Sequence, residues 1–336
     1  MLTQLLACTD ANIKKAANCI RNGGLVAFPT ETVYGLGANG LDKTAVASIF
    51  SAKQRPADNP LILHVSSISQ AEELCDFTAN AKTLAKLYWP GPLTMLLNKK
   101  PIVPDITTAK LSTVAVRMPR HPVALKLIEY SACPIAAPSA NRSGKPSPTT
   151  AKHVLDDLNG RVNYILDGGS SEVGLESTVI DMTLDVPCIY RPGAVTPEEI
   201  SMVLGECEVS AGVMRDIPQN AHAPSPGMRH RHYAPKAPMC LIKGKPEAIA
   251  SYIRDNFQSG DCILAMEENL CLYEGLPIES MGKNAQEAAH RLFYLLRQMD
   301  ERNVKRIFTE TLPENGLGLA VMNRLARAAS FHIVSL

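Results

Sequence analysis

The chain has 336 residues, of which 46% are hydrophobic and 20% are charged, and its formal net charge is +1. This length predicts two domains, each large enough to bury a core of its own. The balance of 34 basic and 33 acidic residues argues against a protein that coats nucleic acid, which needs a strongly basic face. No apolar run is long enough to span a membrane, and no basic segment precedes the apolar N-terminal residues, so no signal peptide is expected.

The nine cysteines are scattered, with no CxxC pair and no Cys/His spacing typical of a metal site. An odd, unpatterned set of cysteines is typical of reduced thiols, which favours a cytoplasmic protein. The sequence therefore predicts no metal-binding residues.

Helices and strands alternate in the first part of the chain. Apolar spacing predicts helices over residues 10–22, 43–52, 79–89, 121–131 and 149–158. Strands are predicted over residues 25–28, 61–65, 93–97, 113–117, 135–137, 164–167, 177–181 and 188–191. Because the later strands have no helices between them, the pattern predicts a mixed sheet and not a purely parallel one.

A composition shift follows, because residues 215–238 are rich in Pro, Arg and His and have no apolar period. Such a segment is typical of an interdomain linker. Beyond it, strands over 240–242, 262–266 and 306–309 alternate with helices over 246–257, 284–302 and 317–329, which predicts a small parallel three-layer unit. We therefore expect a first domain over 1–212, a linker over 213–238 and a C-terminal α/β domain over 239–336.

The most informative stretch is residues 23–64. A predicted strand ends at Pro29. A hydroxyl-rich turn with Thr30, Thr32 and Tyr34 follows it and is broken by Gly35 and Gly37. A helix then leads to the basic pair Lys53 and Arg55. A KxR pair is usually solvated, but here a buried strand follows it, so the arrangement favours a polyanion held beside a small polar molecule.

A second polar loop follows the strand at 135–137. Ser139, Asn141 and Ser143 offer hydrogen-bond donors, and Gly144 allows close approach of backbone amides. The loop is either an ordinary polar turn or a cradle for phosphate, although it lacks the Walker pattern GxxxxGK[ST].

Charged residues also end several apolar strands. Arg117 ends VAVR, Arg191 ends CIYR and His64 ends ILH. Arginines at strand ends often point into a cleft, whereas a lone histidine at such a place is more often a packing residue.

Eight fragments occur in the order PTETVYGLG, KQRPADNPLILHV, PGPLTMLL, AVRMPRHP, APSANRSGKPSPT, LDGG, GLESTVID and YRPGAVT. Together they resemble the YrdC-like family. The segment SPGMRHRHYAPKAP and the α/β unit after it are similar to the long, two-domain threonylcarbamoyl-AMP synthases of that family. The resemblance covers essentially the whole chain and implies an α/β fold, with a YrdC-like twisted mixed sheet and a small Rossmann-like C-terminal domain.

The resemblance also implies an activity. Family members convert L-threonine, bicarbonate and ATP into threonylcarbamoyl-AMP and pyrophosphate. Because no Asp/Glu cluster with ligand spacing lies near the motifs, we expect Mg²⁺ to be brought in on ATP and not held in a protein cage. A downstream tRNA-modifying transferase then moves the threonylcarbamoyl group to the adenosine next to the anticodon. No membrane and no stable complex with nucleic acid is expected for this step.

The motif positions imply a role for each candidate residue. Threonine would be surrounded by Thr32, His64, Arg117, Ala137 and Ser177, with Arg117 pairing its carboxylate. The nucleotide would contact Arg55, Asn59, Thr113, Ser139, Ser147, Arg191 and Tyr233. Lys53 and Arg55 would be catalytic, because they neutralise phosphate charge as pyrophosphate leaves. Tyr233 and the basic residues Arg229, His230, Arg231 and His232 lie in the linker, which would close over the site as a lid.

Other interpretations remain open at this point. A YrdC-like domain could bind double-stranded RNA or tRNA without catalysis. The carbamoyltransferase part of a hydrogenase-maturation protein has the same fold, but that protein also carries zinc-finger CxxC motifs and an acylphosphatase unit. The C-terminal domain could bind a regulator or a partner protein.

Overall fold

The computed structural model describes residues 2–215 and 233–336, and these residues form two α/β units with separate sheets. The fold class expected from the sequence is confirmed, with a mixed sheet first and a parallel sheet after it. The limits of the linker stay a prediction, because residues 216–232, including Arg229, His230, Arg231 and His232, lie outside the described part.

The first sheet has eleven strands among the described residues. They are β1 (Gln4–Ala7), β2 (Val26–Phe28), β3 (Gly35–Asn39), β4 (Ile62–His64), β5 (Leu93–Asn98), β6 (Thr113–Arg117), β7 (Ile135–Ala136), β8 (Tyr164–Asp167), β9 (Thr178–Asp181), β10 (Cys188–Arg191) and β11 (Glu208–Val209). Their spatial order is β1-β8-β2-β3-β7-β4-β6-β5-β9-β10-β11. β4 and β6 are parallel, whereas β5 and β6 are antiparallel, so the sheet is mixed.

Helices cover this sheet. They are α1 (Asp10–Arg21), α2 (Lys43–Lys53), α3 (Ile68–Leu74), α4 (Ala79–Tyr88), α5 (Asp105–Thr108), α6 (Pro122–Ser131), α7 (Ala151–Leu158) and α8 (Pro197–Leu204). The sequence analysis missed α8, although Thr196 and Glu199 form a capping box at its start, a pattern that is visible in the sequence.

The C-terminal unit is a five-stranded parallel sheet in the described residues. Its elements are β12 (Met239–Lys243), α9 (Pro246–Asn256), β13 (Asp261–Ala265), β14 (Ile278–Ser280), α10 (Ala285–Glu301), β15 (Arg306–Glu310), α11 (Gly316–Ala328) and β16 (Ile333–Ser335). Leu241 and Leu264 pack with α10 and α11, whereas Ile242 and Ile263 pack with α9. Since successive strand residues face opposite sides, both faces are covered and the unit has three layers.

Strand β3 corrects the expectation of a turn at Gly35 and Gly37. Glycine is unfavourable in strands, so the sequence pattern pointed to a turn. Here a Cβ on Gly37 would lie 2.7 Å from Ile135 Cγ2 and 2.8 Å from Phe28 Cε1. Glycine is therefore present because two neighbouring side chains close over this strand.

The central strand β4 supplies a test of the core. Leu63 is fully buried, whereas Leu87 on α4 is 60% exposed. We expect Leu63→Ala to lower the free energy of unfolding by about 2–5 kcal/mol, because it removes a packed side chain and leaves a cavity. The matched variant Leu87→Ala should change it by less than about 0.5 kcal/mol. Equal effects in urea denaturation would show that the sheet centre is not the core.

Candidate active site

A cavity that is partly open to solvent lies where the parallel strands β4 and β6 end, beside the turn that follows β2. His64 and Arg117 are neighbours in the register of these two strands, so both strand ends reach the same edge. The cavity is lined by most of the candidate residues, namely Thr32, Lys53, Arg55, His64, Arg117, Ala137, Ser139, Ser177, Arg191 and Tyr233. Asn59, Thr113 and Ser147 are not among the lining residues.

Arg117 is held by a buried ion pair that the sequence analysis did not anticipate. Its Nη2 lies 2.7 Å from Glu31 Oε1, its Nη1 donates to Thr32 Oγ1 at 2.9 Å, and its Nε donates to the Gly91 carbonyl at 3.2 Å. A guanidinium carries five N–H groups, so two stay available beyond these contacts with the described residues. Arg117 is therefore fixed in orientation and can still bind a carboxylate.

Glu31 remains charged in this setting. Its burial alone would raise the pKa, but the charge and hydrogen bond of Arg117, with the backbone N–H of Arg120, hold the pKa of the carboxyl below its usual range. Glu31 lies between two threonines of the PTETVYG fragment, and nothing in that pattern distinguishes it from a solvated acid.

His64 is a neutral imidazole in the cavity wall. Burial, and then the positive charge of Arg117, lower its pKa to about 3. Its Nδ1 is buried and has no hydrogen-bond partner among the described residues. A polar group of a bound ligand can supply that partner, so the packing role usual for a lone histidine does not account for the whole side chain.

Lys53 ends α2 and is 1% exposed. Its ammonium group donates to the carbonyl oxygens of Ser139 and Asn141 and to Asn141 Oδ1. Burial, and then the nearby Arg55, lower its pKa well below the usual range. Because these oxygens match the donors of an ammonium group, Lys53 anchors the polar loop after β7 in this structure. Its catalytic role stays a prediction and would require this loop to release it.

The other cations of the cavity are Arg55, which is half-buried, and Arg191, which is buried. Among the described residues, the hydrogen bonds that Arg55 donates are long, 3.3 Å to the Pro60 carbonyl and 3.4 Å to that of Asn59, and its Nε has no partner there. Burial lowers its pKa to about 10, which leaves it charged at neutral pH. Arg191 donates to Ser177 through Nε at 2.9 Å and Nη2 at 3.1 Å. Arg55 is thus the cation best placed to gain from an anionic ligand.

Tyr233 is the first described residue after the gap in the linker, and it lines the cavity. Its ring packs on Phe293 of α10, with ring centroids 5.2 Å apart. The next residue, Ala234, donates its N–H to the Gly144 carbonyl at 3.0 Å, so this end of the linker is tied to the polar loop. The role of the rest of the linker as a lid stays a prediction.

The described side chains form no candidate metal site. Within residues 2–215 and 233–336, no three His, Cys, Asp or Glu residues form a group suited to a metal ion. All nine cysteines belong to these ranges, and none is in a disulfide. No helix in the same ranges is long and apolar enough to cross a membrane.

The fold and the cavity define an α/β protein that can hold a polyanion beside a small polar molecule. Residues 18–193 match the Sua5/YciO/YrdC family model, described as "Telomere recombination". Residues 195–330 match the model described as "Threonylcarbamoyl-AMP synthase, C-terminal domain". The chain belongs to the Sua5/YciO/YrdC family.

Similar proteins span nearly the whole chain. A threonylcarbamoyl-AMP synthase of Pyrococcus abyssi is 48% identical over 96% of this chain and 95% of its own. One of Bacillus subtilis is 47% identical over 99% of this chain and 97% of its own. The crystal structure of P. abyssi Sua5 complexed with L-threonine superposes with a TM-score of 0.91 at 44% identity and covers 100% of both chains.

The buried His64 predicts a pH dependence of stability. Its pKa of about 3 in the folded chain lies below the usual value of about 6.5, so the unfolded state binds a proton first as the pH falls. Folding stability should therefore decrease between about pH 7 and pH 5, by roughly 2 kcal/mol from this residue. In His64→Gln this part of the loss should disappear. The control His332→Gln, at an exposed site, should keep the wild-type response; identical pH profiles for all three proteins in urea denaturation would contradict the argument.

Proposed function

We propose that the chain is an L-threonylcarbamoyladenylate synthase, a nucleotidyltransferase that converts L-threonine, bicarbonate and ATP into threonylcarbamoyl-AMP and pyrophosphate. One observation carries the proposal. A single cavity joins a half with hydroxyls and a neutral imidazole, formed by Thr32, His64 and Ser177, to a half with the cations Arg55 and Arg191. The first half suits an amino acid and the second suits a triphosphate.

The chemistry needs no covalent intermediate on the protein. The threonine amine attacks bicarbonate-derived CO₂ and loses a proton, which gives a carbamate. A carbamate oxygen then attacks the α-phosphorus of ATP, and the bond to the β-phosphate oxygen breaks as pyrophosphate leaves. Such a reaction is promoted by positioning and charge neutralisation more than by acid–base groups.

Each side chain has a part in this arrangement. The two N–H groups of Arg117 that the Glu31, Thr32 and Gly91 contacts leave available would bind the threonine carboxylate, and Nδ1 of the neutral His64 would take a hydrogen bond from threonine. Arg55 would contact the phosphates and balance the charge of the departing pyrophosphate. Thr113, Asn59 and Ser147 remain proposed nucleotide contacts on the strength of the family motif.

The remaining partners follow from the same assignment. Magnesium enters as part of the ATP substrate, since this ion is commonly bound through substrate phosphates and water. The product passes to a tRNA-modifying threonylcarbamoyl transferase, without a stable complex between this chain and nucleic acid. The unpaired cysteines favour a cytoplasmic location.

The proposed reaction is tested by measuring pyrophosphate release from ATP by the purified chain. Release should require L-threonine, bicarbonate and magnesium together, and threonylcarbamoyl-AMP should appear in equal amount by mass spectrometry. Full release in EDTA would contradict the role of magnesium. Release without threonine would contradict the assignment of the reaction.

A variant of Arg55 should change turnover without changing threonine binding. We expect Arg55→Ala to lower kcat by about 100-fold at saturating ATP, because it removes a preorganised donor from the developing phosphate charge. The KM for threonine should change little. The matched control Arg120→Ala removes an exposed arginine that pairs with Glu172 and should keep wild-type kinetics. A wild-type kcat in Arg55→Ala would rule out this role for Arg55.

A further inference from the structure

Arg324 lies on α11 of the C-terminal domain, yet its side chain is fully buried against the first domain. Its Nε donates to Glu176 Oε2 at 3.0 Å and its Nη2 to the Glu176 carbonyl at 3.2 Å. Its Nη1 donates to the Pro192 carbonyl at 2.6 Å. One side chain therefore joins two backbone segments of the other domain.

Both segments carry cavity residues. Glu176 directly precedes Ser177, and Pro192 directly follows Arg191. Ser177 and Arg191 are themselves hydrogen-bonded on the cavity side. Arg324 thus holds the backbone next to Ser177 and Arg191, the pair that lies where the two halves of the cavity meet.

Glu176 extends this connection to the polar loop. Its second carboxylate oxygen, Oε1, accepts a hydrogen bond from Ser147 Oγ. Ser147 is fully buried, and Glu176 is 6% exposed. The chain of contacts therefore runs from Arg324 through Glu176 to the loop that also carries Ser139. The Arg324 guanidinium carbon also lies 5.9 Å from the centre of the Tyr233 ring, so it faces the described end of the linker as well.

Loss of the guanidinium would leave the Glu176 carboxylate buried without its cation. A buried charge that loses the cation donating to it is costly, so the Glu176 side chain would turn away from its present position. This change releases Ser147 and loosens the segment at Ser177. Since small misplacements of binding groups strongly reduce turnover, the effect should reach the reaction although Arg324 does not line the cavity.

We propose that Arg324 is a positioning residue through which the C-terminal domain completes the active site of the first domain. The proposal rests on the proposed function for its kinetic readout only. Under this proposal the C-terminal domain supports substrate binding in both halves of the cavity and does not serve a separate regulatory or docking role.

The test compares Arg324→Met with the control Arg302→Met in the full-length chain. Arg302 pairs with Glu279 within the C-terminal domain, so its loss removes an ion pair without touching the cavity. We expect Arg324→Met to raise the KM for both threonine and ATP and to lower kcat/KM by about 10- to 100-fold per folded molecule. Arg302→Met should match the wild type. A purely structural role would lower the unfolding temperature but leave both KM values unchanged.

Two further variants keep the test decisive. Arg324→Lys retains the charge but not the paired contacts to Glu176 and Pro192, and it should show the same KM effects if Arg324→Met does not fold. The double variant Glu176→Gln/Arg324→Met should be no less active than Arg324→Met, because the two residues act as one unit. Additive losses in the double variant would overturn the connection through Glu176.

Hydrogen–deuterium exchange gives a readout that does not depend on catalysis. Peptides covering residues 137–149 and 174–180 should exchange faster in Arg324→Met or Arg324→Lys than in wild type. In Arg302→Met the exchange of the same peptides should equal that of the wild type. Unchanged exchange and unchanged KM values in the Arg324 variants would overturn the proposal. A wild-type chain that releases no pyrophosphate would instead contradict the proposed function, and the exchange comparison would still test Arg324.

Discussion

The structure depends on how several buried cations are compensated in one cavity. Lys53, Arg117 and Arg191 in its wall are less than a tenth exposed, and Arg55 beside them is half-buried. Burial of a charge is costly unless it is paired and hydrogen-bonded. Glu31 compensates Arg117, and backbone and amide oxygens of the polar loop take up the donors of Lys53. The described hydrogen bonds of Arg55 and Arg191 go to neutral oxygens, so the cavity favours a ligand that brings negative charge.

The same requirement explains why the two domains are joined by buried charges. The Glu176 carboxylate accepts a hydrogen bond from Ser147 on one side and from Arg324 of the C-terminal domain on the other. A second arginine of that domain, Arg297, donates to the Pro146 carbonyl at 2.6 Å and to Asp157 at 2.8 Å. Pro146 lies in the polar loop between β7 and α7, and Asp157 on α7 accepts a hydrogen bond from the Arg142 N–H of that loop. The C-terminal domain is therefore part of the support of the cavity, and its removal would expose or unbalance charges in the first domain.

Much of the fold and the site could be predicted from the sequence, because both depend on local patterns. The strand ends at His64 and Arg117 and the hydroxyls after β2 were visible as polar residues closing apolar runs, and the structure brings them to one cavity. Strand β3 was missed because its glycines leave room for the Phe28 ring, and only the tertiary structure shows that this ring lies against the strand. Arg324 was missed for the same reason: it lies in a helix of ordinary amphipathic pattern, and nothing local marks a partner 148 residues away.

The central claim is that one cavity holds threonine and the ATP phosphates side by side between these cations. The most direct measurement is a crystal structure of the full-length chain with L-threonine and a non-hydrolysable ATP analogue. The account predicts the threonine carboxylate on Arg117, near Thr32 and His64, with the phosphates of the analogue on Arg55 and the α-phosphate facing the threonine amine. A nucleotide bound to the C-terminal sheet, or phosphates bound away from Arg55, would contradict it.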